Sequence, residues 1–388
     1  MKRNDARSVA QQLAGIDEVE CVTPDLNGVP RGKVMTAEGF LEERRLQMAR
    51  GVLLQCIMGG YPPARFYGSD DGDVALVPDP AQLHCLPWSD QPRALAICNA
   101  DELTGTSCAI STRGQLKSVL ARYAEYGLTP VVATELEFFV FAPNPDPLQA
   151  FVPPVGLDGR RELGHSAFSI GSNNGLRPFF TEVYACMAAL GLPRDTFMHE
   201  MGVSQFEINL LHGDPLLLAD QTFLFKHLLK EVALKHGVIV VCMAKPLANT
   251  PGSSMHLHQS VVDAVSGRNV FSAEDGQSTP TFRHFIGGLQ TCMADFTALF
   301  APNVNSYQRL SIRSLHPTTP AGPMTTAPPV CEFPPVHRRP GASRIVCRAP
   351  MPIRIWSSLP AWRRVFTGSS GASSRRLPCR ASFRCRKN

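Results

Sequence analysis

The run Val131-Val132-Ala133-Thr134-Glu135-Leu136-Glu137-Phe138-Phe139-Val140-Phe141 constrains the fold more than any other segment. Its β-branched and aromatic content predicts a strand. Side chains alternate along a strand, so Glu135 and Glu137 point to one face. Two adjacent carboxylates among apolar neighbours repel each other and lose hydration. Such a pair needs a compensating cation, and a divalent metal serves best. A solvated edge strand is the plainer alternative. The apolar residues on both faces favour the metal.

Two further segments carry related chemistry. In His199-Glu200-Met201-Gly202-Val203-Ser204-Gln205-Phe206-Glu207-Ile208-Asn209, Glu207 alternates with Phe206 and Ile208. Glu200 and Glu207 alone would pass as surface acids. In Pro251-Gly252-Ser253-Ser254-Met255-His256-Leu257-His258-Gln259-Ser260, a Gly/Ser turn feeds a strand that presents His256, His258 and Ser260 on one face. Lone histidines are usually structural, but two at strand spacing after such a turn point to a metal or phosphate site. Four carboxylates and one imidazole form a hard-ligand set, suited to Mg²⁺ or Mn²⁺ more than Zn²⁺. Paired Mg²⁺ ions on carboxylates accompany phosphoryl transfer from a nucleotide.

Around these segments the chain reads as an α+β protein. Val19 to Val34 has the pattern of a hairpin, and Asp73–Pro78 and Arg93–Cys98 add strands, which gives a small, mostly β unit over residues 1–107. In the next unit Leu116, Val119, Leu120 and Tyr123 form a helical stripe that Gly127 ends. A later helix from near Asp220 stops at Gly237, before a buried strand over Val238–Met243. Strands alternating with helices predict a sheet with helices against it. No run approaches the roughly 18 apolar residues that span a bilayer, so no membrane span is expected, and no membrane is expected as partner. Met1-Lys2-Arg3 leads into no apolar segment, so no secretory signal is visible. Eight scattered cysteines before residue 310, without a C-x-x-C pair, predict reduced thiols in the cytoplasm.

The four blocks Glu135-x-Glu137, His199-Glu200-(x)₄-Gln205-x-Glu207, Lys245-Pro246 with Gly252 to Ser260, and Asn305-Ser306-Tyr307-Gln308-Arg309-Leu310 resemble the glutamine synthetase family in order and spacing, over roughly residues 15 to 312. The resemblance implies a small β-grasp-like N-terminal domain and a larger α/β catalytic domain with an antiparallel-rich sheet, over 108–312. It implies that Glu137, Glu200 and Glu207 hold a first metal, and that Glu135 and His256 hold a second. His258 and Ser260 match positions that contact ATP, Gly252 lies in the loop lining the amino-acid pocket, and Arg309 matches an arginine that binds glutamate. The implied reaction joins glutamate to an amine through a γ-glutamyl phosphate, in a homo-oligomer, a ring-like dodecamer. Pro251, where glutamine synthetases proper usually have Asn, resembles the γ-glutamylpolyamine branch. That favours a putrescine-like amine over ammonia.

The net charge of +5 (38 basic, 33 acidic residues) averages two unlike pieces. Residues 311–388 hold 13 Arg and one Lys against Glu332 alone, or +13, which leaves 24 bases and 32 acids, or −8, for residues 1–310. The same 78 residues contain 12 of the 33 prolines. The family's expected blocks are missing here, but they return in an alternative reading frame. Ala349-Pro350-Met351-Pro352-Ile353-Arg354-Ile355-Trp356, with codon boundaries one nucleotide earlier, permits Gly-Ala-Asp-Ala-Asn-Pro-Tyr-Leu. Met324 to Pro334 permits Tyr-Asp-Asn-Arg-Thr-Ala-Gly-Leu-Arg-Val-Pro. These blocks imply a frameshift near residues 310–318. The expectation is that 313–388 is poorly ordered and that this chain is inactive or nearly so. A non-catalytic family member and a basic-tailed binder of nucleic acid or anionic membrane are the competing readings. The hidden blocks weigh against the binder.

Overall fold

The computed structural model describes residues 3–43, 45–67 and 72–310, together with the backbone of 331–332 and 345–350. The rest of the 313–388 tail lies outside the described residues, and with it the expectation that this tail is poorly ordered.

Helix α1 (Arg3–Gln12) precedes a five-stranded sheet made of β1 (Glu18–Pro24), β2 (Pro30–Thr36), β3 (Leu46–Ala49), β4 (Asp73–Cys85) and β5 (Arg93–Glu102). The strand order is β2-β1-β5-β4-β3, with β1 and β5 parallel and the other pairs antiparallel. The β1–β2 hairpin turns through Asp25, whose carboxylate accepts from the N–H groups of Asn27 (2.7 Å) and Val29 (3.0 Å). Gly28 takes the positive φ of 68° that this turn requires. The short helix α2 (Ala37–Leu41) is capped by the Thr36 hydroxyl.

Alternation assigns the two faces of this sheet to two cores. Val19, Cys21, Ala94, Ala96 and Cys98 pack with α1, while Val22, Leu95 and Ile97 join the main core of the rest of the chain. The N-terminal sheet and the elements C-terminal to it therefore share one core. A buried ion network reinforces the seam. Arg113, at the start of α3 (Thr112–Glu125), reaches Asp220 on α6 (Pro215–Lys235) at 2.8 Å, Asp79 on β4 at 2.6 Å and Asn99 on β5.

The larger sheet is built on β6 (Leu128–Phe141), with β7 (Arg194–His199), β8 (Gln205–Leu210), β9 (Ile239–Val241), β10 (Ser254–Asp263), β11 (Cys331–Glu332) and β12 (Ile345–Pro350). Its order is β11-β12-β10-β6-β8-β7, with β9 on β6, and every described pairing is antiparallel. One face carries Leu136, Phe138, Val140, Phe206 and Ile208 against α5 (Arg177–Ala189) and α6 (Pro215–Lys235). The expected helix from Asp220 begins earlier, at Pro215. Asp214 caps it by accepting from the Leu217 N–H at 2.9 Å, and proline suits the first turn. The expected strand over Val238–Met243 is shorter, because only Ile239–Val241 pairs with β6. Helix α4 (Ile170–Gly175) precedes α5, and α7 (Pro280–Phe300) and α8 (Val304–Leu310) lie between β10 and β11 in the chain. Among the described residues no helix is long and apolar enough to cross a membrane.

Candidate active site

The other face of the larger sheet carries the acids. Register places Glu135 opposite His256 of β10, and Glu137 opposite Glu207 of β8. Since β6 lies between β8 and β10, a period of two on each strand brings all four side chains to one face. Ligand atoms of Glu135, Glu207 and His256 lie within 4.8 Å of one another.

Each acid has a distinct environment. Glu135 Oε2 lies 2.6 Å from His256 Nδ1, and Glu135 Oε1 lies 2.6 Å from His258 Nε2. Burial works against ionisation of Glu135, but the hydrogen bonds from the two imidazoles win and pull it down to about 2. Glu137 is buried; its carboxylate accepts from Gln205 Nε2 (3.0 Å), from the Ser254 N–H (3.0 Å) and from the Ser254 hydroxyl. Burial still shifts Glu137 upward, against the pull of Ser254, Arg309 and His256. Glu207, 4% exposed, is pushed up to about 8, first by burial and then by the charges of Glu135, Glu137 and Glu200.

Glu200 is half-buried in the turn after β7, outside the tight three-residue group, and acts on Glu137 and Glu207 through its charge. His199 holds this turn. Its Nδ1–H donates to the Glu200 carbonyl (2.7 Å), and its Nε2 faces Glu162 Oε2 (3.0 Å), which also accepts from the Ser204 N–H (2.7 Å). Sequence reasoning missed Glu162, an isolated acid in a long connection with no periodicity to mark it.

The amino-acid end is built by contact between distant blocks. A side chain at Gly252 would place its Cβ 2.2 Å from the Ala244 carbonyl oxygen and 2.9 Å from Arg309 Cγ, so only glycine fits. Asn305 clamps Lys245 from both sides, accepting from its N–H and donating to its carbonyl, each at 2.8 Å. Arg309 is thereby presented above Gly252, and its positive charge reaches Glu137 and Lys245. Ser260, half-buried, shares the face of His256 and His258 but lies farther along β10, opposite Val131. The structure thus gathers Glu135, Glu137, Glu207, His256 and His258, sets Glu200 at the rim, and leaves Ser260 apart.

The residues fit a divalent cation. Hard oxygen donors and an imidazole converge, and one carboxyl, Glu207, is driven toward protonation first by burial and then by neighbouring negative charge, which a cation would offset.

The catalytic-domain model of glutamine synthetase matches residues 109–351. The chain belongs to the glutamine synthetase family. The family match continues past residue 312, through the backbone of β12. Curated family members with similar sequences include a glutamate–isopropylamine ligase of Pseudomonas sp (30% identical, covering 76% of this chain and 65% of that protein). A glutamine synthetase of Pyrococcus abyssi is 32% identical over 75% of this chain and 61% of its own length. The γ-glutamylputrescine synthetase PuuA of Escherichia coli K12 is 29% identical over 77% and 64%. The chain spans a little under two thirds of each of these glutamine synthetase relatives. Among solved structures, apo GmaS superposes with a TM-score of 0.74 at 25% identity, covering 94% of this chain and 80% of that one. The mixed sheets and helices described above are thus the glutamine synthetase-like fold.

Proposed function

We propose that this chain derives from an ATP-dependent ligase that joins the γ-carboxyl of glutamate to a small amine. The observation that carries the reading is the convergence of Glu135, Glu137, Glu207 and His256 on one sheet face, with Glu207 pushed up to about 8 by burial and like charge. Glu137, Glu200 and Glu207 would hold a first Mg²⁺ or Mn²⁺, and Glu135 and His256 a second, with His258 and Ser260 toward ATP. Bound cations would neutralise the phosphates during transfer.

The protein's own residues do the positioning. Arg309, set above Gly252, binds the glutamate carboxylate. A γ-carboxylate oxygen of glutamate takes the terminal phosphoryl group of ATP and ADP leaves. The amine nitrogen then forms the C–N bond, phosphate departs, and one proton leaves the nitrogen. Water must be excluded from the acyl phosphate, and we assign that role to the 142–169 connection, which Glu162 pins to the His199 turn. A putrescine-like diamine is the favoured acceptor, since a cationic chain suits an acidic pocket. Ammonia is the second reading, supported by the glutamine synthetases among the relatives. A cytoplasmic homo-oligomer completes the proposal, with the N-terminal sheet as the β-grasp-like domain.

We further propose that the reading frame is shifted near residues 310–318 and that the 388-residue chain is inactive. Resequencing the coding DNA tests the shift, and an intact frame in independent reads contradicts it. The activity is tested on frame-restored protein. Phosphate release from ATP and glutamate should be fastest with putrescine. A preference for ammonia selects the second reading, and no release with any amine contradicts the ligase.

A further inference from the structure

Gln205 is 1% exposed, so its carboxamide must be satisfied by the protein. It opens β8 opposite Phe139 and, by the period of two, shares a face with Glu207 and Glu137. The residue before it, Ser204, has a φ of 55°, in the left-handed region that favours glycine. Two bonds hold Ser204 there: its hydroxyl donates to the Val140 carbonyl and its N–H to Glu162 Oε2, each at 2.7 Å. Such strain persists only where surrounding contacts over-determine it, and here it lies at the entry to an acid-bearing strand.

Three chain segments meet at this carboxamide. Its Nε2 donates to Glu137 Oε2 on β6 (3.0 Å) and to the Gly252 carbonyl (3.3 Å), in the loop beneath Arg309. Its Oε1 accepts from the Gly202 N–H (2.9 Å), in the turn that carries Glu200. Backbone bonds tie the same turn to Gln205: the Glu200 N–H donates to the Gln205 carbonyl (2.8 Å), and the Gln205 N–H donates to the Gly202 carbonyl (3.1 Å). Both N–H donors of the amide and its oxygen are engaged. A flipped amide would set its oxygen against two acceptors, so the orientation is fixed. Glutamate or methionine here would offer no donor to either acceptor, and asparagine is one methylene short. Space is closed as well. A Cβ on Gly202 would lie 2.4 Å from Gln205 Oε1 and 3.0 Å from the Phe139 ring.

We propose that Gln205 is a positioning residue that links the metal cluster to the glutamate loop, an inference that rests on the ligase reading. A cation that draws Glu137 and Glu200 together locks the amide between them. The amide in turn holds the Gly252 loop, with Arg309 above it, in the form that takes glutamate. The link is reciprocal, so an ordered loop also favours the cation.

The test is amide hydrogen exchange over residues 244–253 of the full 388-residue protein, with and without Mn²⁺, whose occupancy is followed by electron paramagnetic resonance. In the parent, saturating Mn²⁺ should slow exchange there about tenfold, although no proposed metal ligand lies in that segment. Gln205→Met removes both donors at nearly constant volume and should weaken Mn²⁺ about tenfold. At saturating Mn²⁺ it should leave exchange over 244–253 within about twofold of the metal-free rate. Gly202→Ala, which displaces the amide but keeps Gln205, should do the same. The Ser254 contacts with Glu137 remain in both variants, so the lost protection reports on the amide. A merely structural role would speed exchange with and without metal alike. Mn²⁺ that slows the loop equally in both variants, or binds the parent without slowing it, overturns this inference alone. Loss of all Mn²⁺ binding in both variants also overturns it, since the amide would then serve the metal only. Absence of saturable binding to the parent overturns the ligase reading as well.

Discussion

Glu135 spans two histidines of the neighbouring strand, with Oε2 2.6 Å from His256 Nδ1 and Oε1 2.6 Å from His258 Nε2. One carboxylate thereby fixes the orientation of two imidazoles, a common arrangement around metal-ligating histidine. It also places His258, assigned by resemblance to ATP, in direct contact with the proposed metal ligands.

The low value of Glu135, about 2 against 4.5 unperturbed, gives the first prediction. An acid whose folded pKa is depressed stabilises the protein above its unfolded pKa, and that contribution disappears as pH falls through the folded value. Metal-free protein should therefore lose stability between pH 4.5 and about 2. Glu135→Gln should flatten that part of the curve, as read by denaturant midpoints at each pH.

Glu207 carries the opposite sign. Its folded value of about 8 lies above the unperturbed 4.5, so the folded state holds the extra proton in between. Metal-free stability should fall as pH rises from 4.5 to about 8. Glu207→Gln should remove this slope and raise stability at pH 8, yet weaken metal binding. Equilibrium unfolding with and without Mn²⁺ separates the two effects.

Gly252→Ala tests the close approach of three chain segments. With the Cβ position 2.2 Å from the Ala244 carbonyl oxygen, backbone must move. The expected cost is about 1–3 kcal/mol, typical of overpacking. In frame-restored protein the displaced Arg309 should also raise the KM for glutamate more than that for ATP.

Arg113→Ala should destabilise the chain by about 3–5 kcal/mol, because it leaves the Asp220 charge buried and uncompensated. Replacing both residues by apolar ones of similar volume, Arg113→Met with Asp220→Leu, should recover much of that loss. Denaturant unfolding of the parent, the Arg113→Ala variant and the double variant measures the difference.

Much of the site was legible because its residues sit on strands, where period two fixes the face without tertiary information. Glu135, Glu137, Glu207, His256 and His258 all obey that rule. Gly252 and Arg309 entered only through resemblance, and their physical reason is a contact between residues 57 positions apart (309 − 252). Glu162 and the Arg113–Asp220 pair were not legible. The first belongs to an aperiodic connection whose docking on His199 is tertiary. The second joins two helices whose apolar stripes say nothing of a buried ion pair. The apolar stripe alone starts helix α6 too late, although Asp214-Pro215 is a sound start signal. The backbone of Ile345–Pro350 pairs along β10, with His256 opposite Arg348. The resemblance expects an Arg-rich strand followed by the hidden Gly-Ala-Asp-Ala-Asn-Pro-Tyr-Leu block, and Ala349 and Pro350 at the end of this strand already belong to that block.

Binding of Mn²⁺ to the full 388-residue protein, followed by electron paramagnetic resonance at pH 8, tests the central claim without requiring activity. Saturable binding is expected, and Glu207→Gln and His256→Ala should each weaken it about tenfold or more. The Mn²⁺ affinity should also fall as pH is lowered through the Glu207 titration. Absence of saturable binding, or binding that neither substitution alters, would contradict a metal centre on this face of the sheet.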